Sequence, residues 1–224
     1  SPRFIFLQTK DVSRVFCLSR GLGKVYKRQI LLRAAVAGTN PQVVDTTNGF
    51  HPRDLLPAIK GVTQDDMPGY LSLVPTQLVQ CLDADEEVLE ALRSLSAILV
   101  GGAAISNHLL ERALNAGLKV RVTYGMTETA GGCVYDGEPM PGMTVRAVDW
   151  DGRTRLAFNG PTLMTRYLDA ESPFFEEGGH RWLISGDMGV IRASGKVEVN
   201  GRADDVITSG GLSIAPGPLR RAVR

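Results

Sequence analysis

The chain of 224 residues can bury a sizeable core, since a domain of this size hides roughly 70% of its unfolded surface. Its 25 Lys and Arg against 24 Asp and Glu leave a net charge of +1, which gives no support to a dedicated nucleic-acid binder, and a 43% hydrophobic content argues against disorder. Cys17, Cys81 and Cys133 are widely spaced with no CxxC pair, against a disulfide scaffold or a thiolate zinc site, and no apolar run approaches the ~20 residues of a membrane span. With no signal-peptide pattern at its start, the chain reads as a cytoplasmic protein with no membrane partner.

Residues 1–33 form an atypical basic segment, with Arg3, Lys10, Arg14, Arg20, Lys24, Lys27, Arg28 and Arg33 against the single acid Asp11. A nucleic-acid arm and a solvated edge are both open readings of that charge. Ile30 to Val36 has a helical pattern, Gln42 to Val44 resembles a strand, Pro57 to Gly61 a short element, and Tyr70 to Val74 another strand.

The stretch from Asp83 to Gly125 is the best specified. Asp83 with Glu86 three residues on predicts a capping box, and Val88, Leu92 and Leu95 follow at helical spacing. Ala97-Ile98-Leu99-Val100 reads as a buried parallel strand ending at Gly101-Gly102. Ser106 predicts a second cap; Leu109, Leu110, Ala113 and Leu114 predict the apolar face behind it, and Gly117 the helix end. Val120 to Tyr124 is then a strand ending at Gly125. This order predicts a βαβ unit whose glycine loops open onto one crevice, the edge where open α/β sheets bind ligands.

Beyond Gly137 the pattern changes. Asp151-Gly152 between Thr144–Val148 and Thr154–Phe158, and Ala193-Ser194-Gly195 between Met188–Arg192 and Lys196–Val199, predict hairpins of an antiparallel subdomain without a helix. Arg202 to Gly211 reads as a linker. The sequence lacks HExxH and GxSxG, and its three histidines are not spaced for a metal.

The remaining chemistry-bearing segments are Gly101-Gly102-Ala103-Ala104, Tyr124-Gly125-Met126-Thr127-Glu128-Thr129, Ser185-Gly186-Asp187-Met188-Gly189 and Gly201-Arg202-Ala203-Asp204-Asp205. In this order, with Asn159 to Leu163, Tyr167-Leu168 and Arg181 to Asp187, they resemble the adenylate-forming superfamily of acyl-CoA synthetases, luciferases and peptide-synthetase adenylation domains. Ser72 to Leu78 and Ala130 to Gly137 look more specifically like actinobacterial o-succinylbenzoate–CoA ligases of menaquinone biosynthesis.

The resemblance implies an α/β fold: a layered αβα core over residues 34–136, an antiparallel β-rich subdomain over 137–200, and a hinge with the start of a C-terminal lid over 201–224. It implies a carboxylic acid activated by ATP with Mg²⁺ and then captured by CoA. Gly101, Gly102 and Ala103 carry little bulk, so adenine and the acyl group can approach the backbone closely. Tyr124, Gly125 and Met126 would border the nucleotide, with Tyr124 offering its ring to adenine. Thr127 and Glu128 take the catalytic places, Thr127 donating to the α-phosphate and Glu128 ligating Mg²⁺. Asp187 and Arg202 reach the ribose, and Asp204 is the hinge.

The Ser/Thr/Gly-rich phosphate loop of that family and its lid lysine are not found in this sequence. Removing one preorganised donor from a catalytic site typically costs about 10²–10³ in rate, so the chain alone is expected to be inactive and to form part of a longer ligase. A non-catalytic adenosine-nucleotide-binding module, and an adenylating enzyme with another acyl substrate, are the alternatives.

Overall fold

The computed structural model describes residues 3–8, 42–46, 48–63, 68–205, 207–209 and 212–214. The predicted helix at Ile30 to Val36 and the basic residues from Lys10 to Arg33 lie outside them. The chain divides into two compact units, residues 1–122 and 123–224.

The first unit is built on parallel strands. β1 (Arg3–Gln8) lies between β2 (Gln42–Asp45) and β3 (Gly69–Leu73) and pairs in parallel with both. β4 (Ala97–Val100) pairs in parallel with β3, and the start of β5 (Val120–Met126) pairs in parallel with β4 through Ile98↔Val120 and Val100↔Val122. Residues 3–8 of the N-terminal segment, for which no element was expected, form a strand flanked on both sides.

Among the described residues of this unit, four α-helices supply the covering apolar faces: α1 (Leu55–Thr63), α2 (Pro75–Leu82), α3 (Glu86–Ser94) and α4 (Asn107–Asn115). Pro57 sits within the first turn of α1, where a missing N–H costs no intrahelical bond. Leu55, Ile59 and Val62 then bury their side chains together with Leu71, Leu78, Cys81, Val88, Leu92, Leu95 and Ile98 in one core.

The cap of α3 is Asp85, whose side chain accepts from the Val88 N–H at 3.2 Å. The expected Asp83 cap is corrected: Asp83 ends α2 and takes the Arg112 guanidinium, while Arg53 reaches Asp85 at 2.7 Å. Both the Val88 N–H and the Arg53 charge hold the Asp85 carboxyl below its ordinary value. Ser106 caps α4 as expected, accepting from the Leu109 N–H at 3.2 Å, and Gly117 follows the helix end. Leu109 and Ala113 are buried, but Leu114 is 52% exposed and leaves the apolar face that the periodicity assigned it.

The second unit is antiparallel. Thr123–Met126 of β5 pair with β6 (Gly131–Tyr135), which pairs with β7 (Glu138–Pro139). A second sheet has the order β10 (Phe174–Glu177), β11 (His180–Ile191), β9 (Arg153–Asn159), β8 (Thr144–Trp150), with β12 (Val197–Arg202) also paired to β11. Asp151-Gly152 turns β8 into β9 with φ of 52° and 69°, the left-handed pair that a tight hairpin requires. Alternation sorts the faces: Leu156, Phe158 and Leu183 enter one core with Cys133 and Val134, while Ala157, Trp182 and Ile184 form another. Arg146 covers the latter with its guanidinium 4.0 Å from the Trp182 ring centre.

The linker expected at Arg202 to Gly211 is also corrected. Arg202 ends β12, Ala203–Asp205 make one 3-10 turn, and β13 (Ile207–Ser209) pairs with β14 (Leu212–Ile214).

Candidate functional site

The second unit carries most of the residues singled out in the sequence. Tyr124 lies on β5, and the strand runs on through Gly125 to Met126, where a loop was expected. The absence of a side chain at Gly125 is dictated by its neighbour strand: a Cβ there would stand 2.1 Å from the Gly131 carbonyl oxygen. Thr127–Thr129 then form a single 3-10 turn that presents Thr127 and Glu128.

Thr129 fixes that turn. It is fully buried, and its Oγ1 accepts from the Met126 N–H at 3.0 Å and donates to the Gly131 carbonyl at 2.7 Å. Ala130 follows with φ 55°, a conformation that costs a non-glycine residue roughly 1–2 kcal/mol and lets the chain double back into β6. Thr129 belongs to the motif read from sequence, yet its anchoring role rests on contacts with residues on both sides of the turn.

Asp187 lies on β11, where pairing with β9 shifts between Ile184 and Met188. Ser185 occupies the irregularity. It is buried, its hydroxyl donates to the Leu156 carbonyl at 2.8 Å, and it accepts from the Asp187 N–H at 3.2 Å. β12 brings Arg202 opposite Asp187, and the Arg202 guanidinium lies over Gly186, where a Cβ would meet it at 2.8 Å. Arg202 also contacts Asp204 at 3.4 Å, with both side chains exposed.

Two phenols tie these carboxylates down. The Tyr124 hydroxyl donates to Asp187 Oδ2 at 2.6 Å, and the Tyr124 ring stacks on Phe158 with centroids 5.7 Å apart. Burial, then the Asp187 charge beside it, pushes the Tyr124 phenol far above its ordinary value, so it stays a proton donor. The Tyr167 hydroxyl donates to Glu128 Oε1 at 2.5 Å; desolvation and the Glu128 carboxylate push that phenol up to about 12.

Phe158 stacks on one face of the Tyr124 ring, a contact that the motif alone does not disclose. Tyr167 was legible only as part of a family-like run, with nothing in its spacing to link it to Glu128, 39 residues away. Gly101, Gly102 and Ala103 belong to the first unit, directly after β4, with Gly102 and Ala103 exposed.

Each of the two carboxylates is thus anchored by a phenol, and that of Asp187 lies beside an aromatic stack. Among the described residues no group of three or more His, Cys, Asp or Glu side chains could hold a metal. A single carboxylate such as Glu128 still suits Mg²⁺, which takes one or two protein carboxylates and completes its shell with phosphate and water.

A parallel α/β unit is thus followed by an antiparallel unit that bears these two carboxylates. The AMP-binding enzyme family matches residues 30–168, and the chain belongs to it. It is 37% identical over 198 residues to the "Probable 2-succinylbenzoate–CoA ligase" of Mycobacterium tuberculosis, covering 87% of this chain and 49% of that protein. The chain therefore spans about half the length of the curated relatives it matches.

Among solved structures, the fold superposes with a TM-score of 0.70 on o-succinylbenzoate coenzyme A synthetase (MenE) from Bacillus subtilis in complex with ATP and magnesium ion, at 24% identity over 95% of this chain and 44% of that one. A variant of Escherichia coli MenE with bound OSB-AMS matches with a TM-score of 0.68 at 26% identity, covering 99% of this chain and 44% of that one. The layered α/β architecture with its β-rich unit is that of MenE.

No helix among the described residues is long and apolar enough to cross a membrane.

Proposed function

We propose that this chain carries the adenylate-binding half of a cytoplasmic AMP-forming acid–CoA ligase acting on o-succinylbenzoate in menaquinone biosynthesis. The observation that supports the reading is the 2.6 Å hydrogen bond from Tyr124 to Asp187, which holds a carboxylate beside an aromatic ring. Family membership and the likeness to 2-succinylbenzoate–CoA ligases support the chemistry and the acid.

The proposed reaction has two parts. A substrate carboxylate oxygen attacks the α-phosphorus of ATP, and pyrophosphate leaves. The CoA thiol, losing its proton, then attacks the acyl carbonyl and AMP leaves. Asp187 accepts hydrogen bonds from the ribose hydroxyls, through the oxygen that Tyr124 does not occupy and through remaining lone pairs of Oδ2. Arg202, held opposite Asp187 by the β11–β12 pairing, reaches the same sugar. Thr127 donates to the α-phosphate from the turn that Thr129 fixes.

Glu128 is the residue that would hold magnesium, which when bound offsets the negative charge of the phosphates. Gly101, Gly102 and Ala103 keep the end of β4 free of bulk, and Asp204, beside Arg202, serves as the hinge where residues 201–224 begin. The partners in this reading are small molecules: ATP, the acid and CoA.

The test is ATP–pyrophosphate exchange driven by o-succinylbenzoate, run on this chain joined to the complementary half of the Mycobacterium tuberculosis relative. Exchange that needs the acid, and is lost in Glu128→Gln and Asp187→Ala, is the expected result. A folded chimera that binds AMP and ATP but exchanges no pyrophosphate with this acid contradicts the assignment.

A further inference from the structure

A second segment of chain holds the Glu128 turn. The loop between β9 and β10 lays its Met164 N–H on the Glu128 carbonyl at 2.8 Å and its Tyr167 hydroxyl on Glu128 Oε1 at 2.5 Å. The loop is itself braced. Arg181 donates to the Met164 and Thr165 carbonyls while its guanidinium stacks 3.4 Å from the Phe174 ring centre, and the Tyr167 N–H donates to Ser172 Oγ at 2.7 Å.

Leu163 and Met164 anchor the start of this loop on the apolar core, but the stretch around Tyr167 has no such packing among the described contacts. Arg166 and Asp169 are exposed and Leu168 is 86% exposed, so this stretch runs along the surface. The contacts of Tyr167 itself are polar, and its phenol ends on a carboxylate with a free second oxygen among the described contacts.

We propose that Tyr167 is a positioning residue for nucleotide-bound divalent cation. Its phenol occupies Glu128 Oε1, fixes the rotamer of the carboxylate and leaves Oε2 as the oxygen that would meet the metal. Hydrogen bonds of this kind to ligating groups typically control about 10–100-fold of metal affinity. The inference rests on the reading of Glu128 as the metal ligand.

The experiment measures Mn²⁺ binding to the chain saturated with ATP, by electron paramagnetic resonance, alongside calorimetric titration of AMP in EDTA. In Tyr167→Phe, Mn²⁺ affinity falls about 10–100-fold while AMP affinity stays within about twofold. In the Glu128→Gln background the same substitution has no further effect on Mn²⁺. Unchanged Mn²⁺ affinity in Tyr167→Phe overturns the positioning role alone. Equal losses of Mn²⁺ and AMP affinity also overturn it, in favour of a merely structural tyrosine. A parent chain that binds neither ATP nor AMP overturns the functional reading itself, and this inference with it.

Discussion

Tyr124 and Asp187 lie 63 residues apart in sequence and meet through a 2.6 Å hydrogen bond from the phenol to carboxylate Oδ2. The bond joins β5 to the irregular stretch of β11, and it gives the tyrosine a role besides the one proposed for its ring. It also sets the direction of the acceptor proposed for the ribose.

Tyr124→Phe separates those two contributions, because it keeps the ring and its stack on Phe158 while deleting the donor. A net hydrogen bond contributes about 0.5–1.5 kcal/mol, so AMP affinity should fall by about 2–10-fold. Calorimetric titration of AMP checks it; a loss beyond about 100-fold, or none, would mean that the phenol does not act through Asp187.

Gly125→Ala should act on the fold before it acts on the ligand. The new Cβ would lie 2.1 Å from the Gly131 carbonyl oxygen, so β5 and β6 must separate locally. Overpacking of this sort costs about 1–3 kcal/mol, and a backbone obstacle gives less easily than a side chain. A thermal melt should show a clear fall in Tm. A parent-like melt with AMP binding lost would restore Gly125 to the purely ligand-contacting role read from its motif.

Cys81 provides a pH prediction. It is a fully buried free thiol on α2, and burial pushes its pKa from 9.0 to about 12. Above pH 9.0 the unfolded chain releases this proton while the folded chain keeps it. The stabilisation is therefore complete below pH 9.0 and is lost progressively towards about 12. Denaturant midpoints of the parent should drop more steeply between those pH values than midpoints of Cys81→Ala; parallel slopes would contradict a buried, protonated thiol.

What could be read in the sequence was set by neighbours in the chain. The β4 strand, the Ser106 cap and the Asp151-Gly152 hairpin each declare themselves within a few residues. The cap of α3 shows where this fails: Asp83 and Asp85 both suit the position, and Arg112 and Arg53, distant in sequence, are the partners they take. The site follows the same division. The stretch from Tyr124 to Thr129 was visible as a motif, but Ser185 under Asp187, Phe158 behind Tyr124 and Tyr167 on Glu128 depend on strand register and on a loop crossing between elements. β1 escaped notice because its pairing partners lie more than thirty residues downstream.

The central claim is an adenosine site built around Asp187, and calorimetric titration of AMP against the parent chain and Asp187→Ala tests it most directly. The account predicts saturable one-to-one binding by the parent and a loss of at least about tenfold in the variant, with an unchanged melt. Equal affinity in two equally folded proteins would contradict it.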